Sequence, residues 1–304
     1  MYKNLCPRVK KSKNFSFCKR VRTNRQFLII ATISLLSLIL TLGSWGCSYS
    51  ADRQIRRIPQ EMREILTLSL PFTPVKIAYS SLDNSLYVME PETNMIRIYR
   101  DGKYINAVGG LGFSDSNFNR LSDITVSPHG RLLALDSFQK QIKRFDSNGM
   151  WIENFHLKNI GEPVLFDVSH DGMVFVYDRT SNEIVILDEK MENIVYRFGK
   201  FVFREPVQLH STFTHVTVYD RSLNTTFIFD NFGKLTEELS GYWQIDRFNN
   251  KYRLDVNKIS HPATNKEFLL YHKPWSSFYV KSGIIGLITD REIKISEMTY
   301  ERYQ

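Results

Sequence analysis

Acidic residues recur at one position of a repeating pattern, and their spacing makes them the first candidates for chemistry. Asp136, Asp178 and Asp220 lie 42 residues apart, and Glu90 takes the same position in an earlier, less regular copy. Carboxylates gathered on one face of a fold can bind a cation or a basic ligand. The alternative is that each carboxylate accepts backbone N–H bonds in its own turn. Because the acids recur in every clear copy, the pattern favours this structural role.

The residues beside these acids differ from copy to copy, and two of them are basic. Such variation is expected of a surface that binds a specific ligand. Arg179 and Arg221 directly follow two of the acids, whereas Pro91 and Ser137 hold that position in the other copies. A solvated arginine beside an acidic turn is the simpler alternative. Other charged residues precede the first strands of their copies. The predicted ligand-binding set on this face is Arg120, Asp136, Glu162, Asp178, Arg179, Arg204, Asp220 and Arg221.

No recognisable catalytic or metal-binding motif accompanies these residues. The seven histidines do not cluster, and the sequence has neither an HExxH motif nor a paired Cys/His spacing. It also lacks a GxSxG elbow, a phosphate-binding loop and a dinucleotide fingerprint. A metal site that takes one ligand from each of several repeats would leave no such motif. The sequence therefore assigns no catalytic residue and no cofactor, and it leaves a distributed metal site open.

The elements that position these residues follow from the repeats. In each copy an alternating run meets a turn such as Pro128-His129-Gly130, and a second strand then ends at the recurring acid. Two more strands follow, with an Asp and a nearby Gly between them, as in FDSNG. Four short strands with turn residues about every ten residues make one antiparallel sheet. A unit of this kind, repeated around an axis, is a blade of a β-propeller.

The repeats resemble those of the NHL family. The segments GGLG at 109–112 and LSDI at 121–124 look like the linker and opening of an NHL repeat. One position before the third strand, where this family often has Asn, is held by Asn94, Asn182, Asn224 and, in one copy, Lys140. The resemblance covers about residues 72–235. It implies a six-bladed propeller, and such propellers act as binding platforms more often than as enzymes.

The rest of the chain can supply the remaining blades. Residues 245–255 form a degenerate fifth blade when Ile245 is aligned with Val168. The last stretch, 278–296, has only three strands, and residues 65–70 can provide the fourth. A strand borrowed from the opposite end would close the ring and remove a free edge. We therefore predict an all-β propeller with six four-stranded blades, with five or seven as alternatives.

The first 47 residues predict export. Residues 1–26 carry nine basic and no acidic residues, and residues 27–46 are uncharged and mostly apolar. This is the pattern of a secretory signal or signal anchor whose positive flank stays in the cytoplasm, and we expect a hydrophobic helix here. Gly46-Cys47 resembles the end of a bacterial lipobox, which implies lipidation of Cys47. An uncleaved single-pass anchor and simple secretion are the alternatives.

Composition thus divides the chain into three predicted parts. Residues 1–47 are the leader with its signal or anchor segment and possible lipobox, 48–62 a tether, and 63–304 the propeller. From Cys47 onward there are 31 basic and 32 acidic residues, so the propeller has no charge excess to attract nucleic acid. Beyond Cys47 there is no cysteine, and the propeller must be held together by its core.

Together these features predict an exported propeller on the extracytoplasmic side of the cell envelope, tethered to the membrane through its N-terminus. We expect it to bind a protein or a glycan without a cofactor. The alternative is a six-bladed hydrolase or lyase of the lactonase type, with Ca²⁺ or Zn²⁺ in the central channel. Three or more acids or histidines converging on the channel would favour that enzyme, whereas a purely structural spacer would have no polar concentration there. The sequence defines neither the ligand nor the oligomeric state.

Overall fold

The computed structural model describes residues 56–270 and 277–303. The basic leader, the predicted hydrophobic helix, Cys47 and residues 48–55 of the predicted tether lie outside these ranges. The described strands form six four-stranded antiparallel sheets, which are the blades of a β-propeller. The predicted six-bladed architecture is therefore confirmed. Across the described ranges, we find no helix with the length and apolar character needed to span a membrane.

The first strand of the described ranges, β1 (Arg56–Ser69), belongs to the last blade, and four regular blades follow it in the order that the repeats predict. Blade 1 contains β2 (Lys76–Ser80), β3 (Ser85–Glu90), β4 (Met95–Arg100) and β5 (Lys103–Gly109). Blade 2 contains β6 (Leu121–Val126), β7 (Leu132–Asp136), β8 (Gln141–Phe145) and β9 (Trp151–His156). Blade 3 contains β10 (Pro163–Val168), β11 (Val174–Asp178), β12 (Glu183–Leu187) and β13 (Ile194–Phe198). Blade 4 contains β14 (Pro206–Ser211), β15 (His215–Asp220), β16 (Thr225–Asp230) and β17 (Leu235–Ser240).

The last two blades depart from this regular pattern. Blade 5 has four-residue strands: β18 (Tyr242–Ile245), β19 (Lys251–Leu254), β20 (Lys258–His261) and β21 (Lys266–Leu269). Blade 6 contains β22 (Ser277–Lys281), β23 (Ile284–Ile288), β24 (Glu292–Tyr303) and β1, in the sheet order β22-β23-β24-β1. Short 3₁₀ turns occur at Pro91–Thr93 and Pro262–Thr264. The first strands of blades 1 to 4 contact one another in turn, and β18 contacts β22, so the first strands lie nearest the axis.

The recurring Asn has a conformational cause. Asn94, Asn182 and Asn224 have φ angles of 53°, 53° and 47°, and Lys140, which replaces Asn in blade 2, has a φ of 54°. This left-handed region is disfavoured for most side chains, and Asn is enriched in it. The position therefore repeats because the turn before the third strand requires this backbone geometry.

The hydrophobic core lies between the faces of neighbouring blades. Between blades 3 and 4, the ring of Phe203 stands 5.7 Å from that of Tyr177, 5.7 Å from that of Phe227 and 6.0 Å from that of Phe229. These centroid distances are typical of favourable aromatic pairs. Since such packing joins one blade to the next, it fixes the spacing of the inner strands and hence the geometry at the axis.

The two outer strands of blade 6 form a ribbon that runs beyond their sheet. β1 pairs with β24 along its whole length, but β24 pairs with β23 only from Ile293 to Glu297. The rest of the ribbon lies on the turn between β18 and β19, where Asn250 Nδ2 donates to the Arg57 carbonyl at 2.9 Å. β1 begins at Arg56, seven residues before the predicted start of the propeller at residue 63. The ribbon thus packs on blade 5, which has the shortest strands, and stabilises it.

Candidate functional site

A pocket of about 630 Å³ occupies one mouth of the central channel, and we call it the axial pocket. It lies at the turns that join the first and second strands of the blades, a side that we call the turn face. Leu82 and Phe213 stand at its rim with 71% and 56% of their surface exposed. Seven hydroxyl side chains from five blades line it: Ser80, Ser81, Ser127, Ser169, Ser211, Thr212 and Ser282.

These hydroxyls occur here because Ser and Thr suit the start of a turn. Ser127 Oγ accepts the backbone N–H of Arg131 at 3.1 Å, and Thr212 Oγ1 accepts that of His215 at 3.0 Å. Ser80 differs, since its Oγ is buried and has no hydrogen-bond partner among the described residues. Turn hydroxyls from five blades therefore surround the pocket, and the unpaired Oγ of Ser80 is buried in its wall.

The floor of the pocket is built around the carboxylate of Asp167, which is buried on the inner strand β10. Its Oδ1 accepts from Lys281 Nζ at 2.8 Å and from Thr125 Oγ1 at 2.6 Å. Its Oδ2 accepts the Ser211 N–H at 2.8 Å and lies 3.2 Å from His210 Nδ1. These five residues come from blades 2, 3, 4 and 6, and we call them the axial network.

Every hydrogen-bonding group of this network is used within the protein. The Lys281 ammonium also donates to Thr125 Oγ1 at 3.1 Å and to the Val168 carbonyl at 3.2 Å, which occupies its three protons. His210 Nε2 lies 3.2 Å from the Ile245 carbonyl, so both ring nitrogens face acceptors. His210 donates both bonds only when both nitrogens carry protons. A general base needs an accessible lone pair, and the network in this arrangement does not present one.

The electrostatics of the floor depend on the same contacts. Burial by itself raises the pKa of Asp167, but the Lys281 ammonium and the hydrogen bond with His210 outweigh it and hold this pKa well below its ordinary value. Asp167 is therefore an ionised carboxylate whose charge is balanced by Lys281. The floor presents polar groups to the pocket without a large net charge.

A second ion pair lies farther along the inner strands. Asp123 precedes Thr125 by two residues on β6, so both side chains point to the same side of the strand. Its carboxylate pairs with the Lys76 ammonium, and its Oδ2 accepts the N–H of Phe166 at 2.9 Å. Burial raises the pKa of Asp123, and Lys76 acts in the opposite direction. Both acids on these inner strands are thus paired with a lysine.

These donors do not fit a metal centre. Asp123, Asp167 and His210 are the acids and histidine of the axis, but both carboxylates are engaged by ammonium groups. Ca²⁺ takes six to eight oxygen ligands, and catalytic Zn²⁺ takes three protein ligands. In the part of the chain that the structure describes, no three His, Cys, Asp or Glu side chains are grouped to hold an ion. The two acids and the histidine at the axis nevertheless meet the criterion that favours the enzyme, and they argue against a purely structural spacer.

The acids singled out by the repeats lie at the other ends of the strands and organise turns there. Asp178 accepts the N–H groups of Gly161 at 2.9 Å, Glu162 at 2.8 Å and Thr180 at 3.1 Å. Burial raises the pKa of Asp178, but the hydrogen bonds outweigh this effect, so the net shift of the pKa is downward. Asp136 and Asp220 accept equivalent N–H bonds from Asn119, Arg120, Phe138, Gln139, Arg204, Glu205 and Leu223. These three acids therefore tie the linkers before blades 2, 3 and 4 to the turns after their second strands, whereas Glu90 of blade 1 accepts from Arg97 Nε at 2.7 Å instead.

The charged residues near those acids form two exposed groups on that opposite face. Glu162 Oε1 accepts from Arg120 at 2.9 Å and from Arg179 at 3.1 Å, which joins blades 2 and 3. Arg221 instead lies 3.5 Å from Glu205, which follows the exposed Arg204. The structure thus brings Arg120, Glu162 and Arg179 together, away from the axial pocket. Their role as a ligand-binding set stays a prediction.

The residues of the axial network carry a sequence signal that motif reading misses. Thr125, Asp167 and His210 of the network, together with Gln244 of blade 5, each stand two residues before the first residue of the turn that follows their inner strand. All four are buried in strands that are otherwise largely apolar. When the repeats are aligned, these polar residues fall at the same buried position of the first strand. Because the first strands surround the axis, polar side chains at that position come together there.

Comparison with known proteins supports the fold. No protein-family model and no curated protein matches the chain. A catalytically inactive variant of virginiamycin B lyase from Staphylococcus aureus, solved with quinupristin, has a TM-score of 0.53 at 17% identity, covering 75% of this chain and 82% of its own. A gluconolactonase from Xanthomonas campestris has a TM-score of 0.54 at 11% identity, covering 80% and 97%. A streptogramin B lyase has a TM-score of 0.52 at 13% identity, covering 79% and 98%.

These identities are too low to carry an activity from one chain to another, so the likeness establishes the fold alone. In all, 1003 solved chains match, which marks this as an abundant architecture rather than a signature of one reaction. The NHL resemblance rests on the repeat pattern, since no family model matches. The chain is a six-bladed β-propeller similar to propeller lyases and a gluconolactonase.

Proposed function

We propose that this propeller binds a saccharide in the axial pocket and serves as a glycan-binding module. The observation that carries the proposal is the ring of hydroxyl groups from five blades above a floor whose polar groups are bonded internally. Sugar hydroxyls both donate and accept hydrogen bonds, and Ser and Thr side chains do the same. The exposed ring of Phe213 offers apolar surface to the C–H face of a sugar.

Ser80 gives the proposal a specific contact. Its Oγ is buried, lines the pocket and has no partner in the described part of the chain. Buried polar atoms are normally hydrogen-bonded, and one left unpaired needs an explanation. If the Ser80 side chain rotates toward the axial pocket, a ligand hydroxyl there would supply the missing bond.

The second candidate is an enzyme of the lyase or lactonase class that uses the same pocket. The similar solved structures favour it, because they are lyases and a gluconolactonase. The Asp167–His210 pair at the pocket floor is the catalytic group that such an enzyme would use here. His210 would have to release its bond to Ile245 before it could accept a proton. The donors at the axis do not fit the metal that this alternative predicts, and we derive no step through one.

The location and the closure of the ring are part of the proposal. The basic leader, the apolar segment and Cys47 support export and attachment to the membrane through the N-terminus. Pairing of β1 with β24 supports closure of the ring by a strand from the opposite end of the propeller. Closure of this kind links the two ends of the propeller through the hydrogen bonds between β1 and β24, with β1 as the edge strand of its sheet.

Binding can be tested with the full-length chain in detergent against linear oligosaccharides of the chitin, cellulose and maltose series. Changing Ser80 to Ala should weaken binding about five- to tenfold, the effect of one hydrogen bond of ~1 kcal/mol. Ser296 is the matched control, because its Oγ is also buried and unpaired among the described residues but does not line the pocket. Ser296→Ala should bind like wild type. Failure of every series, or equal effects of the two variants, would contradict the proposal.

The same samples separate the two candidate functions. Mass spectrometry of the sugar after incubation should recover it intact if the propeller only binds. A cleaved or rearranged product would favour the enzyme. Elemental analysis of the purified protein adds a second criterion, because stoichiometric Ca²⁺ or Zn²⁺ would support the metal-dependent alternative.

A further inference from the structure

A second hollow of about 430 Å³ opens on the turn face between blades 2 and 3. It shares four lining residues with the axial pocket: Ser127, Pro128, Val168 and His170. These residues come from the ends of β6 and β10 and the turns that follow them. The two turns form a saddle across which the axial pocket continues outward, and we call the second space the outer hollow.

The lining of the outer hollow combines apolar and polar surface. Leu133, Val174 and Met191 are buried residues at its wall, and Ile152 adds an apolar side chain from the outermost strand β9. Charges of both signs stand around it, from Arg131, Arg144, Asp171 and Glu189. This mixture of apolar and polar surface suits sugar units, which are uncharged and carry hydroxyl groups around apolar C–H faces.

One of the two arginines that line the hollow is already paired with an acid. Arg144 Nη1 donates to Glu153 at 2.5 Å, and its guanidinium lies 4.5 Å above the ring of Phe155. A peptide that binds by strand addition needs an unpaired strand edge. β7, β8 and β11, which contribute to the hollow, are each paired on both sides, and the free edge of β9 lies on the side away from β8. The hollow therefore favours a ligand held through its side groups rather than through a backbone.

We infer that the ligand is a linear oligosaccharide of several units, with one end in the axial pocket and the following units crossing the saddle into the outer hollow. This inference rests on the proposed saccharide binding and adds the length and path of the chain. Each space alone falls within the range of about 300–1,000 Å³ that is typical of a small-molecule site. A single sugar in the axial pocket would leave the outer hollow unused, and a chain fills both.

The test is the dependence of affinity on chain length, measured by calorimetry with the full-length protein. The probes are chitin- and cellulose-series oligosaccharides of one to six units. In the series that binds, we expect affinity to rise at least tenfold between one and four units and then to level off. Equal affinity for one and six units would overturn the inference while leaving binding in the axial pocket intact.

Two substitutions test whether the outer hollow provides the affinity that the longer oligosaccharides gain. Ile152→Lys places a charge at the outer hollow and should weaken binding of the hexasaccharide about tenfold without changing that of the monosaccharide. Val195→Lys is the matched control, because Val195 is an exposed apolar residue on the outermost strand of blade 3 and does not line the hollow. Equal binding by these two variants would overturn the path that we infer. If no oligosaccharide binds the wild type at any length, the proposed function itself fails.

Discussion

The ion pair between Asp167 and Lys281 offers a direct test of how the pocket floor is held together. Changing Lys281 to Met removes the ammonium and leaves a buried carboxylate beneath the pocket. Removing one partner of a buried ion pair costs about 3–5 kcal/mol, because the remaining charge has lost its counter-ion. Here His210 Nδ1 remains 3.2 Å from Asp167 and the Ser211 N–H still donates to it, so the carboxylate keeps part of its stabilisation. We therefore expect the lower end of that range, about 3 kcal/mol.

Thermal unfolding of the full-length chain in detergent, followed by circular dichroism, converts this value into a measurable shift. For domains of this size, 1 kcal/mol lowers Tm by about 2–4 °C. Lys281→Met should therefore unfold about 6–12 °C below wild type. The secondary structure should be unchanged at 20 °C, since the substitution removes a charge and does not enlarge a side chain.

An exposed ion pair provides the control. Arg63 Nη2 lies 2.9 Å from Glu297, close to the length of the buried pair, but its side chain is 73% exposed and that of Glu297 is 46% exposed. Exposed pairs contribute about 0–1 kcal/mol, so Arg63→Met should lower Tm by no more than about 4 °C. An unchanged Tm in Lys281→Met, or the same drop in both variants, would refute the reasoning about the floor.

Further predictions concern pH, the repeated acids and the ring closure. The pKa of Asp167 is lower in the folded chain than in the unfolded chain, where it is about 3.9. The ionised carboxylate therefore stabilises the fold above about pH 3.9, and this stabilisation is lost as the pH falls toward the folded-state pKa. Urea unfolding of Lys281→Met should then depend less on pH between 5 and 2 than that of wild type. Asp178→Ala leaves three N–H groups without their acceptor and should cost about 1–3 kcal/mol, whereas Arg179→Ala should cost less than about 0.5 kcal/mol in the same assay. Leu66→Ala in the half-buried part of β1 should cost about 2 kcal/mol if this strand closes the ring, and no loss would argue against closure.

The regular blades could be predicted from the sequence because their turn chemistry repeats. β7, β11 and β15 end at Asp136, Asp178 and Asp220, the spacing of 42 residues that first indicated the blades. Each of these acids bonds its own turn, so local physics forces the repetition. The fifth blade was harder to recognise, since its strands have four residues. The ribbon of β1 and β24 depends on a pairing between distant segments, and no local pattern records its length.

The axial pocket could not be predicted in the same way. Asp167, His210 and Lys281 stand on inner strands of three different blades, and no short motif connects them. Sequence reasoning instead selected the acids at the second strands, because they are conspicuous and regular. Regularity indicates a structural requirement shared by all blades. A site at the axis needs residues that differ between blades, and these are visible only when the inner strands are compared as one column.

A crystal structure of the protein with a bound oligosaccharide tests the central claim most directly. The account predicts a sugar in the axial pocket, with a hydroxyl within hydrogen-bond distance of Ser80 Oγ and the axial network unchanged beneath it. A sugar bound instead on the opposite face, beside Arg120 and Arg179, would contradict the account and support the surface that the repeated acids first suggested.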